Sequence, residues 1–435
     1  MTTLVGTLAA CSPRANVTSP SLTNSTVGAL STKKPVKTVG KWTLAIHMAA
    51  DNNLYTAGLD DINEMEAALT PEAAKLVNII VQFDGAKNGD SKIYKITPDS
   101  SYDKKIVSEV LKTDLIPASN EIDSGNAKVF ADFVNFVTKT YPAEHNLVSI
   151  WNHGGGIFKK TKNGTVSAFS AEGPFGANAF GTKSFASDDQ SGNHMNLFDL
   201  NPALTAAKQN LGKNLDIFSF DTCLMGTVET AFQMFGFVDN MIASEETEPG
   251  DGWDYVSFLK ALSQNPSITP KELATTVVDG YIKSYMPGGS QGVTAGVTQA
   301  ATDVNVLAKE LVPALNTLAK ALTASLPENK AALKALRDKT QVYYLAEPAD
   351  LGHFLSMLVA ESKDATVTAA AKDALAAYKK TVIKVGSYGP EVKDTSGLVI
   401  YFPESSYNKR YDDANDVKFA ETKEWGTFLK AFVGK

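Results

Sequence analysis

An α/β fold with a mostly parallel central sheet, followed by a helix-rich C-terminal region, is what this 435-residue sequence predicts. Three observations carry it. Five apolar runs of strand length lie between Trp42 and Ser244. Segments with apolar residues at helical spacing separate most of them. Each run stops at a polar or glycine-rich stretch, as strands leading into functional loops do.

The first strand starts at Trp42 and breaks at Asp51, Asn52 and Asn53. Leu54, Gly58, Leu59, Ile62, Met65 and Leu69 then recur at helical spacing, with acids on the other face. Val77 to Phe83 is the second strand, closed by Asp84 and Gly85, and Ile93 to Ile96 is a shorter one. A helix over 127–140 turns Val129, Phe133, Phe136 and Val137 inward. Asn146 to Trp151 is the third core strand, ending at Asn152-His153-Gly154-Gly155-Gly156. Residues 159–196 are rich in Gly, Ser, Asn and Lys without periodicity, which is long for a connection inside a compact domain. A helix over 200–211 leads to the fourth core strand, Leu215 to Phe220, which ends at Asp221-Thr222-Cys223-Leu224-Met225-Gly226. A helix follows over 227–235. The fifth strand, Met241 to Ser244, runs into an acidic loop from Glu245 to Trp253. Beyond about residue 256 the chain is Ala-rich and helical over 271–285, 303–325, 328–338 and 367–383, with short apolar segments at 294–298 and 396–403. This divides the ordered chain into a core over 41–256 and a helix-rich region over 257–435 that completes the fold.

Composition narrows the function. Lys and Arg number 41 against 48 Asp and Glu, a net charge of −7, which gives no basic surplus for nucleic acid. No apolar run reaches the ~18 residues of a membrane span. Two cysteines are too few for a disulfide scaffold or a Cys-rich zinc site. The five histidines are scattered without a zinc-binding spacing, so no metal is assigned. Cys11 follows Leu8-Ala9-Ala10, which resembles a bacterial lipobox whose cysteine is lipidated, although no Lys or Arg precedes it and the apolar stretch is short. Residues 1–11 are therefore expected to be a lipoprotein-type signal and 12–40 a flexible tether rich in Ser, Thr and Pro. The membrane would be met only through that lipid, and the location would be the cell envelope or outside the cell.

Two reactive side chains follow core strands, His153 after the third and Cys223 after the fourth. Open α/β sheets carry their sites beyond the carboxyl ends of their strands. A thiolate is a strong nucleophile, and a histidine can activate it or protonate a leaving amine. Gly154 allows close backbone approach, and its N–H together with that of Cys223 could stabilise an oxyanion. Taken singly, each residue has a plainer reading. A cysteine is more often a small buried hydrophobe, Asp221 could cap the next helix, and Asp251 suits a Gly-Asp-Gly turn.

The two motifs together resemble the clostripain family of cysteine peptidases, which shares a fold with caspases, gingipains and legumain. The resemblance extends to Ala49-Ala50-Asp51-Asn52-Asn53-Leu54, to the segment from Ser187 to Gly192, to the loop from Ala243 to Trp253, to Asp350-Leu351-Gly352-His353-Phe354, and to the segment from Gly397 to Pro403. It implies a caspase-like αβα sandwich and a cysteine endopeptidase acting on proteins or peptides as a monomer. By the same resemblance Cys223 is the nucleophile and His153 the general acid/base, with no third member nominated. Asp221 and Asp251 match acids of a pocket that favours Arg or Lys before the cleaved bond. Self-activation would cut after Lys159, Lys160 or Lys162, with Lys183 a further candidate. No cofactor is required. Some family members need calcium, and the acidic pair Asp188-Asp189 leaves that ion open and unassigned. A catalytically silent binding lipoprotein and a transpeptidase on the same fold are the rival readings.

Overall fold

The computed structural model describes residues 39–157 and 185–434. In chain order the strands are β1 (Gly40–Ala50), β2 (Val77–Gly85), β3 (Lys92–Lys95), β4 (Glu109–Val110), β5 (Ala143–Trp151), β6 (Leu215–Asp221), β7 (Val238–Ala243), β8 (Val297–Asp303), β9 (Pro348–Asp350), β10 (Val382–Tyr388) and β11 (Val399–Tyr401). The helices are α1 (Tyr55–Ala68), α2 (Ala127–Thr140), α3 (Asn201–Leu211), α4 (Val228–Gln233), α5 (Tyr255–Gln264), α6 (Pro270–Ser284), α7 (Val304–Val306), α8 (Val312–Lys339), α9 (Leu351–Glu361), α10 (Ala365–Thr381) and α11 (Glu424–Val433).

Nine strands form one sheet in the order β10-β8-β7-β6-β5-β1-β2-β3-β4, and β9 pairs with β11 in a small second sheet. The five strands β2, β1, β5, β6 and β7 pair in parallel. The strands outside them pair antiparallel. A parallel centre must be covered on both faces, so its strands read as continuous apolar runs. Successive side chains of β1 go to opposite faces. Leu44, Ile46 and Met48 pack with Ile62 and Met65 of α1, Phe258 of α5 and Val277 of α6. Ala45 and Ala49 belong with Phe130 and Phe133 of α2, Leu204 of α3 and the C-terminal helices. The result is a three-layer αβα sandwich. Strands β8 and β10, from beyond residue 257, extend the same sheet through β7.

Several elements differ from the sequence reading. The short apolar segment at 294–298 overlaps only the start of β8, in which Thr298, Gln299 and Thr302 are buried. Residues 382–388 form an edge strand, half-buried throughout, which hydropathy does not mark. The helices expected over 303–325 and 328–338 are joined, because α8 continues through Pro327. An interior proline costs about 3 kcal/mol. Burial of Leu315, Leu318, Leu322 and Leu326 before it and of Leu333 and Leu336 after it offsets that cost. Of the segment 396–403, only Val399–Tyr401 is strand. Cys11, Lys159, Lys160, Lys162 and Lys183 lie outside the described residues.

Candidate active site

The parallel strands end side by side, with Met48 of β1 opposite Trp151 of β5, and Trp151 opposite Asp221 of β6. The loops that follow them are therefore neighbours. Side chains pin these loops together. Asn152 donates from its backbone N–H to the Asp221 carbonyl (3.2 Å), and its Oδ1 accepts from the Ser187 N–H (2.8 Å). The Asn52 amide donates to the carbonyls of Ala49 (3.0 Å) and Ser187 (3.1 Å). A Cβ on residue 154 would collide with the Cys223 carbonyl, so only glycine lets the two loops touch. Leu224, immediately after the cysteine, is held at φ +64°, where a side chain costs about 1 kcal/mol or more. Its N–H is secured by the Glu246 carbonyl at 3.1 Å.

Cys223 and His153 line one narrow cavity of about 30 Å³ together with Trp151, Asn152, Asp221 and Glu248. They are 4% and 8% exposed respectively, so neither faces open solvent. His153 Nε2 lies 2.8 Å from Asn53 Oδ1. The amide oxygen can only accept, so Nε2 carries a proton. Asn53 is itself exposed.

The thiol is held by one residue of the acidic loop. The Glu248 N–H donates to Cys223 Sγ (3.2 Å), and the thiol faces the Glu248 carbonyl oxygen (3.7 Å). Burial pushes the Cys223 thiol up to about 12, and the Glu248 and Glu246 carboxyls add to the rise. The N–H groups of Glu248 and Gly154 oppose it. In this arrangement the sulfur is a protonated thiol.

Carboxyls line the other side of the cavity. Asp221 accepts from the Tyr255 hydroxyl (2.9 Å), and burial raises it to about 7. Glu248 is 6% exposed, and its Oε1 accepts from Gln299 Nε2 (3.0 Å). Burial and then the Asp221 charge hold the Glu248 carboxyl well above the ordinary range. Asp61, which accepts from the Trp151 indole (2.6 Å), is raised by burial and then by Asp221. Among the described residues none of these three has a Lys or Arg partner.

The structure thus brings together Cys223, His153, Gly154 and Asp221. It leaves Asp251 out. That side chain is exposed and does not line the cavity, and Glu248 stands beside Asp221 instead. Sequence reasoning passed over both Glu248 and Asn53. Nothing in the run Glu245-Glu246-Thr247-Glu248 distinguishes one acid from the next, and Asn53 is 100 residues from its histidine. His47 and His145 have structural partners. His47 is fully buried between Gln82 and the Ser124 carbonyl. His145 lies in β5 and meets Asp216 at 3.1 Å. Among the described residues no group of three or more His, Cys, Asp or Glu side chains is arranged to hold a metal ion. Asp188 is buried and accepts from the N–H groups of Ser124 (3.0 Å) and Ser191 (2.7 Å).

Comparison with known proteins places the chain in a family. The model of the clostripain family matches residues 46–432. Clostripain of Hathewaya histolytica is 25% identical over 237 residues, which are 49% of this chain and 41% of that protein, so the match spans less than half the relative's length. A secreted C11 cysteine protease from Bacteroides thetaiotaomicron, solved with an irreversible peptide inhibitor, superposes with a TM-score of 0.64 at 20% identity, over 89% of this chain and all of that one. An inactive zymogen C11 protease from Parabacteroides distasonis superposes with a TM-score of 0.59 at 17% identity, over 91% and 98% of the two chains. The caspase-like αβα sandwich expected from the sequence is the fold these structures share.

Proposed function

The chain belongs to the clostripain family of cysteine peptidases, and from that premise we propose that it is an endopeptidase that cuts peptide bonds after Lys or Arg, with Cys223 and His153 as its dyad. One observation carries the reading. The cavity that holds both reactive side chains is walled by Asp221 and Glu248, with Asp61 behind them and no cation among the described residues to satisfy them. A substrate ammonium or guanidinium would supply that charge through charge-assisted hydrogen bonds.

The chemistry follows from the groups present. His153 takes the Cys223 thiol proton, and the thiolate attacks the carbonyl carbon. Negative charge develops on the carbonyl oxygen, where the Gly154 and Cys223 N–H groups would stabilise it. His153 protonates the departing amine, and water then hydrolyses the thioester. Asn53 keeps the imidazole in one tautomer through these steps. The resting thiol is buried and protonated, so the chain needs a rearrangement before it can act. Self-cleavage after Lys159, Lys160 or Lys162 belongs to the same reading.

Fluorogenic peptides ending in Arg, Lys or Asp before the reporter, given to wild type and to Cys223→Ala, test the proposal. Turnover of the basic peptides by wild type alone is expected, with the Cys223→Ala chain uncut on a gel where wild type is cut. Absence of Cys223-dependent turnover would contradict the activity. A preference for Asp would contradict the pocket assignment.

A further inference from the structure

We propose that Glu248 determines specificity by coupling the two halves of the site: a cationic side chain entering the pocket moves Glu248, and that movement releases the Cys223 sulfur for attack. The inference rests on the pocket reading above and adds to it the residue and the means by which a basic side chain is selected.

The first observation is that Glu248 belongs to both halves. Its carboxyl stands beside Asp221 in the cavity wall, while its own N–H and carbonyl hold the thiol. Oε1 is tied to Gln299 of β8, and Oε2 is buried without a hydrogen bond of normal geometry, although the Asp221 carboxyl and the Trp253 indole adjoin it. A buried carboxyl whose neighbours pair with it so poorly gains from a well-placed cationic N–H.

The second observation is volume. A cavity of about 30 Å³ holds roughly one water molecule and not a Lys or Arg side chain. Something lining it must move before such a side chain can enter. Trp151 and Asp221 end central strands, Trp151 paired with Met48 on one side and with Asp221 on the other. The segment from Glu248 to Asp251 is the movable wall, tethered beyond it where the Tyr285 hydroxyl and Gln291 Nε2 donate to the Gly252 carbonyl (2.7 and 3.2 Å). Gly250 and Asp251 are exposed, Gly250 has open space around its α-carbon, and Gly252 turns at φ +57°. Entry of a basic side chain therefore displaces the segment that carries both contacts to Sγ.

A cation gains the carboxyl as it makes this displacement, whereas a neutral side chain would leave two buried carboxyls uncompensated. Discrimination comes from coupling binding to assembly of a competent site, which is induced fit in its energetic sense. The raised thiol of the closed arrangement agrees with a sulfur that becomes reactive only on release.

Alkylation of Cys223 by iodoacetamide, mapped by peptide mass, tests the coupling in the full chain with agmatine as the probe. Agmatine carries a guanidinium and no peptide bond, so the reading does not depend on hydrolysis. Saturating agmatine is expected to accelerate wild-type alkylation about tenfold or more, since each unit by which a thiol's pKa falls raises its thiolate tenfold. The acceleration should vanish in Glu248→Gln and persist in Asp251→Asn. Slower or unchanged alkylation of wild type with agmatine would overturn the inference, as would equal acceleration in Glu248→Gln. The wild-type arm decides the matter even where the Glu248 variant fails to fold. A chain that shows the acceleration but hydrolyses nothing would overturn the proposed activity and leave the coupling standing.

Discussion

His153 and Asn53 form the smallest unit of the site. A free imidazole exchanges its proton between two nitrogens, but the Asn53 oxygen at 2.8 Å fixes it on Nε2. Asn53 acts through the histidine, so its loss should appear in kcat rather than in KM. Asn53→Ala is expected to lower kcat about tenfold with KM within twofold, against the ~10²–10⁴-fold loss of His153→Ala that general acid–base catalysis predicts. Steady-state kinetics on a Lys or Arg peptide reads both. A parallel rise in KM, or no change in kcat, would show that Asn53 only shapes the loop. At this scale the sequence was readable where chemistry follows a strand end. Cys223 and His153 each stand just beyond an apolar run, and their residue types leave few roles. Glu248 and Asp251 are three positions apart in one acidic loop. Which of them turns inward depends on the Pro249-Gly250 path and on Gln299, a partner 51 residues away.

The same distinction holds for the elements. The parallel strands β1, β2, β5, β6 and β7 were legible because both their faces are covered and their side chains are apolar without a break. Strand β8 was not, and the reason bears on function. Its buried polar side chains brace the acidic loop. Thr298 Oγ1 meets Ser244 Oγ (2.9 Å) and accepts from the N–H groups of Glu245 and Glu246 (3.1 Å each), while Gln299 holds the Glu248 carboxyl. A strand whose side chains on both faces serve a loop loses the hydrophobic signature that would announce it. Helix α8 was read as two because proline is a local signal, whereas the leucines that carry the helix past Pro327 act through tertiary packing. The edge strand β10 is half-buried along its whole length and gives no period to detect.

At the scale of the molecule, buried carboxyls set the pH response. Burial raises Asp84 to about 7, and raises Asp51, with Asp188 beside it, to about 6. Asp221 is also raised to about 7, and Glu245, Glu248 and Asp61 are raised further. The folded chain keeps these protons at a pH where the unfolded chain has lost them, so stability falls as pH rises from about 4 towards about 7 and above. His47, lowered by burial, works in the opposite direction as a single group. The urea midpoint is expected to drop between about pH 5 and about pH 7, and to drop less in Asp84→Asn; a rising or flat midpoint would contradict this. The acids at the pocket belong to the same set, so under the proposed specificity the charge that destabilises the empty site is the one a basic side chain would meet. The most direct measurement of the central claim is the mass of the adduct formed with peptidyl chloromethyl ketones ending in Lys, Arg or Asp. One adduct per chain is expected, on Cys223, formed faster with the basic peptides than with the acidic one. An adduct on another residue, or equal rates for basic and acidic peptides, would contradict it.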